Sequence, residues 1–244
     1  MKRTIVITGA STGIGAATAV ALAKDSFIFV HYNASKEQAE AVLRQVQDAG
    51  GEGVLLQADV STEDGCATLV NSIKAKTSHI DVLVNNAGGL LERRSISDGL
   101  SWDLMEQIFT LNTFSTMLLT SELAPLLRGG KNPSITNVSS VAMRTGAPTA
   151  TIYGACKGAI DSFTRGSAKE LAPDIRVNAV APGVIETPFH ERYSSPAQIE
   201  AFREATPLKR NGQADHIAHT IKFLVENDFI TGETIDVNGG IFMR

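Results

Sequence analysis

The stretch from Thr4 to Gly15 has the sequence TIVITGASTGIG. Its β-branched first half predicts a short buried parallel strand, and Gly9 predicts a tight turn directly after it. Residues 16–24 are rich in Ala and predict a helix that packs closely. Because a strand, a glycine-rich turn and a helix in this order form the opening of a dinucleotide-binding unit, the stretch predicts a pyrophosphate site.

The glycine spacing, Gly-x-x-x-Gly-x-Gly, differs from the Gly-x-Gly-x-x-Gly dinucleotide fingerprint, and the sequence has no Gly-Lys-Ser/Thr phosphate loop. The physical requirement is still met. Gly9, Gly13 and Gly15 allow the backbone to approach a phosphate and allow the helix to pack tightly. A purely structural turn is the alternative interpretation.

Strand and helix patterns alternate along the rest of the chain with short links. Further strands are predicted at residues 26–32, 54–57, 82–84, 134–138, 176–181 and 233–237. One long helix is predicted from Ser101 to about Leu127. We therefore predict an α/β fold over residues 1–244, a single-domain Rossmann-like doubly wound parallel sheet of about seven strands with helices on both faces. Residues 184–212 form a long excursion from this pattern.

The chain has 244 residues and a net charge of −4, and its basic runs, such as Arg93-Arg94, are no longer than two residues. Nothing in this composition indicates a nucleic-acid or membrane-surface partner. Cys66 and Cys156 are isolated and give no metal-binding spacing. The first residues lead directly into a strand, without a signal-peptide pattern, and no apolar run has membrane-spanning length. We expect a soluble, cytoplasmic protein that binds no metal.

Tyr153 and Lys157 lie four residues apart near the start of a predicted helix that runs to about Leu171. At that spacing two side chains lie on one face of the helix, one above the other. An ammonium fixed beside a phenol favours the phenolate, so we expect Lys157 to lower the pKa of Tyr153 towards neutrality. Such a group exchanges a proton near physiological pH. An amphipathic Tyr and a solvated Lys on a helix surface are the alternative.

Several predicted strands are followed by polar residues or glycines, at the edge of the sheet where ligands bind. These are Asp59, residues 85–88, Ser140 and the pair Pro182-Gly183. Asp59 is suited to accept a hydrogen bond from an adenine amino group, although taken alone it is better explained as a carboxylate at a helix entry. Ser140 has no Gly-x-Ser-x-Gly setting, so we expect it to donate to a carbonyl oxygen rather than attack one.

In this order the motifs resemble those of the short-chain dehydrogenase/reductase family. They are Thr8-Gly9-x-x-x-Gly13-x-Gly15, Asn85-Asn86-Ala87-Gly88, Asn112, Ser140, Tyr153-x-x-x-Lys157 and Pro182-Gly183. Each motif is weak alone, but the ordered set, which extends from Thr4 to Gly240, does not arise by chance. The closing residues 230–240 resemble the 3-oxoacyl-[acyl-carrier-protein] reductase branch, whereas residues 89–92 depart from that branch.

The resemblance implies hydride transfer between a nicotinamide and a ketone or secondary alcohol. Tyr153 would be the general acid in reduction and the base in oxidation. Lys157 would bind the nicotinamide ribose, and Ser140 would hydrogen-bond the substrate oxygen. Asn112 would hold a water that links Lys157 to solvent, unless its amide is satisfied within its own helix. The implied cofactor-binding residues are Gly9, Ser11, Thr12, Gly13, Ile14, Gly15, Tyr32, Asn33, Ser35, Lys36, Asp59, Val60, Asn86, Ala87, Gly88, Tyr153, Lys157, Pro182, Gly183, Ile185 and Thr187.

The choice of nicotinamide depends on the end of the second strand. An acidic residue there would bind the ribose 2′-hydroxyl of NAD(H), but Tyr32 occupies that position. Ser35 and Lys36 could receive the 2′-phosphate of NADP(H), although Thr12 replaces the basic residue that the family usually has in the glycine turn. We favour NADP(H), with NAD(H) as the alternative.

The resemblance leaves the substrate open. Residues 184–212 would form the substrate loop. The expected apolar pocket contains Phe189, His190, Tyr193 and Phe202, with Met143, Thr145 and residues 89–91 on the opposite wall. A 3-oxoacyl thioester is one expectation, and sugar, steroid and small-ketone dehydrogenases share the same frame.

Two other classes are weighed against this assignment. A non-catalytic NAD(P)-binding regulatory protein is expected to lack part of the catalytic set, whereas all four implied residues are present. A sugar-nucleotide epimerase would carry a larger C-terminal portion. Small residues along the Tyr153 helix would permit close approach of a second helix, so the family implies a homotetramer, or else a homodimer.

Overall fold

A computed structural model describes residues 2–243, except the side chains of residues 190–192. Its strands are β1 (Arg3–Ile7), β2 (Ser26–Tyr32), β3 (Glu52–Gln57), β4 (Val82–Asn85), β5 (Ser134–Val138), β6 (Arg176–Pro182), β7 (Ile185–Glu186), β8 (Gly212–Gln213) and β9 (Thr234–Val237). Its helices are α1 (Gly13–Ala21), α2 (Lys36–Asp48), α3 (Glu63–Lys74), α4 (Trp102–Phe109), α5 (Ser115–Arg128), α6 (Ala142–Thr145), α7 (Thr151–Leu171), α8 (Pro188–Tyr193), α9 (Pro196–Ala205) and α10 (Ala214–Glu226).

Seven of these strands form one parallel sheet in the order β3-β2-β1-β4-β5-β6-β9. β1 pairs with β2 on one side and with β4 on the other, so the direction of strand addition reverses there. The carboxyl ends of the strands flank a crevice at this switch point, where ligands bind in doubly wound sheets. β7 and β8 pair separately and join the two ends of the excursion over residues 184–212.

Helices cover both faces of the sheet, and apolar side chains fill the space between them. On one face Ile5 and Ile7 pack with residues of α1, α2 and α10. On the other face Val6 packs with residues of α3 and α5. Alternate residues of β1 therefore belong to opposite layers, as expected for a strand buried on both sides. The predicted doubly wound parallel sheet is confirmed.

The single helix predicted from Ser101 to about Leu127 is wrong. A π turn over Thr110–Phe114 separates α4 from α5. A π turn accommodates one additional residue, and here it lets Asn112 face the segment after β4 while Ile108 stays buried in the helix face. In the part of the chain that the structure describes, no helix combines the length and apolar character that crossing a membrane requires.

Candidate active site

A cavity of about 610 Å³ lies at the carboxyl ends of the strands, over the crevice between β1 and β4. Most of the residues predicted to form the site meet there. Those that line it are Gly9, Ser11, Thr12, Gly13, Ile14, Asn33, Ser35, Asp59, Val60, Asn86, Ala87, Gly88, Ser140, Tyr153, Lys157, Pro182, Gly183, Ile185 and Thr187. Four predicted residues, Gly15, Tyr32, Lys36 and Asn112, lie outside the lining.

The glycine turn forms one end of the cavity. Gly9 and Gly13 have φ values of 61° and 55°, in the left-handed region that Gly adopts without strain. Thr12 precedes α1 in an extended conformation, and its side chain makes no capping hydrogen bond within the described chain. The first N–H groups of α1 therefore remain available. Backbone donors and a helix dipole directed at one point fit the pyrophosphate of a dinucleotide.

Gly15 supports this turn from behind the lining. A Cβ at Gly15 would lie 2.3 Å from the carbonyl oxygen of Gly9 and 2.5 Å from Nδ2 of Asn86. The same amide nitrogen donates to the carbonyl oxygens of Thr8 and Gly9, both at 2.9 Å. Gly15 therefore allows α1 to pack directly onto the turn, and its contribution is this packing rather than contact with a ligand.

Thr8 connects the end of β1 to the segment after β4. Its hydroxyl oxygen accepts hydrogen bonds from the backbone N–H groups of Asn86 and Ala87, both at 2.9 Å. Together with the Asn86 amide, these bonds fix the segment after β4 against the glycine turn. The two walls of the crevice are thus held at a defined separation by neutral hydrogen bonds.

Tyr32 and Lys36 lie outside the cavity for different reasons. The Tyr32 side chain belongs to the buried core beside α2. The Lys36 ammonium points along the exposed surface of α2, where it lies 3.8 Å from a carboxylate oxygen of Glu40. Asn33 and Ser35 do line the cavity. The end of β2 therefore presents an amide and a hydroxyl to a ligand, and neither a carboxylate nor an ammonium.

His31 is a site residue that the sequence analysis missed. It is 1% exposed, and its Nδ1 accepts the Gly9 N–H at 2.9 Å. Its Nε2 therefore carries the proton and donates to the carbonyl oxygen of Ala58 at 3.1 Å. Burial lowers the pKa of His31 to about 4, so the ring is neutral and joins the glycine turn to the ends of β2 and β3. The sequence feature that could have indicated this role is a polar residue near the end of an otherwise apolar strand.

Asp59 lines the cavity beyond the end of β3. Its Oδ1 accepts hydrogen bonds from the backbone N–H of Ser61 at 3.0 Å and from the Ser61 hydroxyl at 2.7 Å. The Ser61 hydroxyl holds the pKa of this carboxyl below its usual value. Asp59 is therefore ionised at neutral pH, and one of its oxygens is committed to the turn that precedes α3.

Ser140, Tyr153 and Lys157 line the cavity where β5 ends and α7 begins. Lys157 is 4% exposed, and its ammonium donates to the carbonyl oxygen of Val138 at 2.9 Å. The same nitrogen lies 5.5 Å from the centre of the Tyr153 ring. The Ser140 hydroxyl oxygen accepts the backbone N–H of Ala142 at 3.1 Å. A phenol, a hydroxyl and an ammonium thus converge on one part of the cavity wall.

Burial determines the ionisation of this group of side chains. It lowers the pKa of Lys157 to about 8 and raises the pKa of Tyr153 to about 12, with the Ser140 hydroxyl opposing the second shift. The expected lowering of the Tyr153 pKa is therefore wrong for this structure. The Lys157 ammonium hydrogen-bonds a backbone carbonyl and faces the phenol ring, so the loss of hydration at Tyr153 exceeds the attraction.

Asn112 is fully buried behind the cavity wall. Its Nδ2 donates to the carbonyl oxygens of Gly89 at 2.7 Å and Ile108 at 2.9 Å, and its Oδ1 accepts the Gly89 N–H at 3.1 Å. Both amide hydrogens are therefore used within the protein. Through these bonds, Asn112 holds the segment that follows β4 in place.

Gly88 lies between Asn112 and Lys157, which leads to a prediction. A Cβ at Gly88 would meet Oδ1 of Asn112 at 2.7 Å and Nζ of Lys157 at 3.3 Å. We expect Gly88→Ala to displace both groups, to lower the free energy of unfolding by about 1–3 kcal/mol and to lower kcat/KM at least about tenfold. Urea unfolding and steady-state kinetics measure the two effects.

The adjacent glycine provides a matched control. A Cβ at Gly89 would lie 3.4 Å from Cδ2 of Leu111, which is an ordinary contact. We expect Gly89→Ala to retain stability and activity close to those of the wild type. Similar losses in the Gly88 and Gly89 variants would contradict the argument, because they would show sensitivity to any added methyl group.

The excursion after β6 covers the other side of the cavity. Phe189 and Phe202 line it, as predicted, and so do Leu90 and Thr145. The ring centres of Phe189 and Tyr153 are 6.0 Å apart. This wall is mostly apolar and lies directly beside the phenol.

Several residues predicted for the walls lie elsewhere. Met143 is behind the lining, where its sulfur accepts a hydrogen bond from the Ser139 hydroxyl at 3.2 Å. Leu91 is exposed, and Tyr193 and Gly89 do not line the cavity. The side chain of residue 190 lies outside the described part of the chain. Arg93, which the sequence analysis did not assign to the site, does line it.

Comparison with known proteins shows which protein family the chain belongs to. A family model described as Enoyl-(Acyl carrier protein) reductase matches residues 9–242. The chain belongs to the short-chain dehydrogenase/reductase family. A 3-oxoacyl-[acyl-carrier-protein] reductase of Synechocystis sp. is 38% identical over 247 residues, which cover 98% of this chain and 96% of that protein. An oxidoreductase of Methylorubrum extorquens is 40% identical over 242 residues, which cover 97% and 96%.

Solved structures of short-chain dehydrogenases/reductases have the same fold as this chain. An NADH-dependent reductase, A1-R′, responsible for alginate metabolism, has a TM-score of 0.90 and 28% identity, covering 100% of this chain and 98% of that chain. The angucycline C-6 ketoreductase LanV with bound NADP has a TM-score of 0.88 and 26% identity, covering 98% and 95%. The protein is therefore an oxidoreductase that uses a nicotinamide cofactor, and both types of cofactor occur among its structural neighbours.

Proposed function

We propose that the protein interconverts a ketone and a secondary alcohol at Tyr153, and that residues lining the cavity from Asp59 to Lys157 would hold the cofactor. The observation that carries the proposal is that Ser140, Tyr153 and Lys157 line the same cavity as the glycine turn. When bound, the nicotinamide would supply or accept the hydride. The chain would supply binding, orientation and the proton.

Each of the four side chains has a defined role in this proposal. The Ser140 hydroxyl would donate to the substrate oxygen and align the carbonyl. The Tyr153 hydroxyl, kept protonated by its raised pKa, would deliver a proton to that oxygen during reduction. Lys157 would hold the nicotinamide ribose. Asn112 would position the wall and hold a water behind Lys157 with the free lone pair of its Oδ1.

A substrate panel tests the proposal. The purified protein would be incubated with NADPH or NADH and with 3-oxoacyl thioesters, sugars, steroids and small diketones, and the loss of absorbance at the nicotinamide band would be followed. We expect turnover of at least one ketone class. Binding of the cofactor without turnover of any member would favour the alternative class, a non-catalytic NAD(P)-binding regulatory protein.

The 3-oxoacyl thioesters are the first class to test. Support comes from the 3-oxoacyl-[acyl-carrier-protein] reductase of Synechocystis sp., which the chain resembles over nearly its full length. The segment after Gly88 provides the argument for another substrate, because it departs from that branch and supplies Leu90 and Arg93 to the cavity. A higher kcat/KM for sugars or small ketones than for thioesters would show that 3-oxoacyl thioesters are not the preferred substrates.

For the cofactor we predict a preference for NADP(H). The end of β2 presents Asn33 and Ser35 to the cavity and has no carboxylate of its own, although the Asp59 carboxylate after β3 interacts with the Asn33 side chain. Because the Lys36 ammonium lies near Glu40, we expect a modest preference, with a Michaelis constant for NADPH about tenfold below that for NADH. Ser35→Asp should reverse the order by adding a negative charge. A lower constant for NADH in the wild type would exclude the assignment.

We also propose one domain over residues 1–244, a homotetramer, or else a homodimer, and a cytoplasmic location. A Cβ at Gly158 or at Gly166 on α7 would meet no described atom within 4 Å, which supports close approach of a second helix there. Light scattering should give four or two times the chain mass of 25.9 kDa, and a monomeric mass would contradict the assembly. A single unfolding transition and recovery in the cytoplasmic fraction test the other two points.

A further inference from the structure

We infer that the cavity takes carbonyl substrates that carry a negatively charged group, and that Arg93 binds this group. The inference rests on the proposed function, because it concerns the substrate of the same site. Arg93 lines the cavity on the segment after β4, across from α8. The charged group would be a carboxylate or a phosphate, which present the same kind of oxygen atoms to a guanidinium.

The backbone that carries Arg93 is held in a fixed position. The Asn112 amide binds both the N–H and the carbonyl of Gly89, and Leu90 is 1% exposed. On the other side of Arg93, the backbone N–H of Arg94 donates to the carbonyl oxygen of Thr149 at 2.7 Å. A side chain that starts from a rigid backbone loses less conformational entropy when it binds a ligand.

Two of the five N–H groups of Arg93 are used within the protein. Nε donates to the carbonyl oxygen of Tyr193 at 2.7 Å, and Nη2 donates to the Ser194 hydroxyl at 3.3 Å. Nη1 and the second hydrogen of Nη2 make no hydrogen bond to any described residue. These bonds fix the plane of the guanidinium and leave donors free for an acceptor inside the cavity.

The charges around Arg93 favour an anion. No carboxylate among the described side chains lies within the 4 Å of an ion pair with it, although it is partly buried. Of the described residues that line the cavity, Arg93 and Lys157 are the cationic ones, and Asp59, the acidic one, follows β3 at the far end. A partly desolvated cation without a counter-ion gains most from a charged ligand.

The rest of the substrate wall is mostly apolar. Leu90, Phe189 and Phe202 line the cavity, and Phe189 lies beside the Tyr153 ring. The inferred substrate is therefore an oxo compound with a carbon body against this wall, its carbonyl oxygen at Tyr153 and its acidic group at Arg93. Neutral ketones of the same shape would lack the second point of attachment.

Binding to a catalytically silent holoenzyme tests this directly. Tyr153→Phe saturated with the reduced cofactor would be titrated calorimetrically with oxo carboxylic acids of increasing chain length, with their methyl esters, with dihydroxyacetone phosphate and with dihydroxyacetone. We expect at least one acid or phosphate to bind about 10- to 100-fold more tightly than its neutral partner. The pair that shows the difference identifies the source of the charge. Equal affinities for charged and neutral partners across the series would overturn the inference.

A matched pair of variants separates binding from structure. Arg93→Gln should weaken binding of the charged ligand about 10- to 100-fold and leave the neutral partner within twofold. Arg94→Gln removes the same charge from the next residue, whose side chain pairs with Glu92 outside the cavity, and should change neither affinity. If Arg93→Gln weakens both ligands equally, Arg93 acts only as a tether for α8, and the inference fails. Because binding is measured without turnover, failure of the proposed function would appear separately, in the substrate panel.

Discussion

Tyr153→Phe is expected to lower kcat by about 10²- to 10⁴-fold, which is the range for removal of a general acid or base. The variant loses a single oxygen atom, so its ring can keep the contact with Phe189, whose centre lies 6.0 Å away. Affinity for the nicotinamide cofactor should stay within about twofold of the wild type, because the ribose contact is assigned to Lys157. Steady-state kinetics with the best ketone of the panel and a fluorescence titration with the cofactor measure both quantities.

Tyr32→Phe is the matched control for this substitution. It removes the same atom from a tyrosine that belongs to the core and does not line the cavity. We expect kcat and cofactor affinity within twofold of the wild type. If Tyr153→Phe kept most of its turnover, or if Tyr32→Phe lost as much, the proton donor would have to be another group.

The sequence was sufficient to predict those parts of the fold and site that depend on local patterns. The β-branched run and the glycines from Gly9 to Gly15 define a strand, a turn and a helix through backbone preferences alone. The spacing of Tyr153 and Lys157 defines a shared helix face. The parallel sheet follows from alternating strands and helices with short links, and the carboxyl ends of parallel strands then meet at one edge.

The parts that the sequence could not predict depend on contacts between distant segments. His31 looks like any polar residue in a strand until the fold brings it to Gly9 and Ala58. Arg93 can be assigned to the site only from its hydrogen bond to the carbonyl of Tyr193, which is 100 residues away. Likewise, Asn112 in the π turn binds Gly89, which lies 23 residues away, and this contact cannot be inferred from the local sequence.

The direction of the Tyr153 pKa shift is the clearest example of a property that the sequence could not predict. From spacing alone, a nearby ammonium lowers the pKa of a phenol. In the structure, the ammonium of Lys157 is hydrogen-bonded to Val138 and both groups are desolvated, so burial raises the pKa of Tyr153 to about 12. A raised pKa suits the reduction half of the proposed interconversion, in which Tyr153 must begin as the protonated donor.

Lys157→Met is expected to stabilise the protein at pH 7 while it removes activity. Burial lowers the pKa of Lys157 from its usual 10.5 to about 8. Below pH 8 the folded protein therefore holds a desolvated charge, which the linkage relation converts into a destabilisation of about 3 kcal/mol. Met has a similar length and carries no charge, but it leaves the carbonyl of Val138 without its donor, which costs about 1 kcal/mol. The expected net gain is about 2 kcal/mol in the free energy of unfolding.

The pH dependence of this gain follows from the sign of the shift. Between pH 8 and 10.5 the unfolded chain still holds the proton that folded Lys157 has released, so wild-type stability rises with pH in this window. The advantage of Lys157→Met should therefore be largest below pH 8 and should shrink as the pH rises towards 10. The raised pKa of Tyr153 acts only above pH 10, where it lowers stability in both proteins alike. Urea unfolding at pH 7 and pH 9.5 measures the difference.

Activity and a control on the same helix complete the test. Loss of the ribose contact should lower kcat/KM at least about 10²-fold and weaken cofactor binding, in contrast to Tyr153→Phe, which keeps the cofactor. Lys169→Met changes an exposed lysine of α7 and should alter the free energy of unfolding by no more than about 0.5 kcal/mol at either pH. A Lys157→Met variant that is less stable than the wild type at pH 7 would show that the ammonium is a net stabilising group. In that case the position of the Lys157 ammonium beside the phenol would contribute to stability as well as to catalysis.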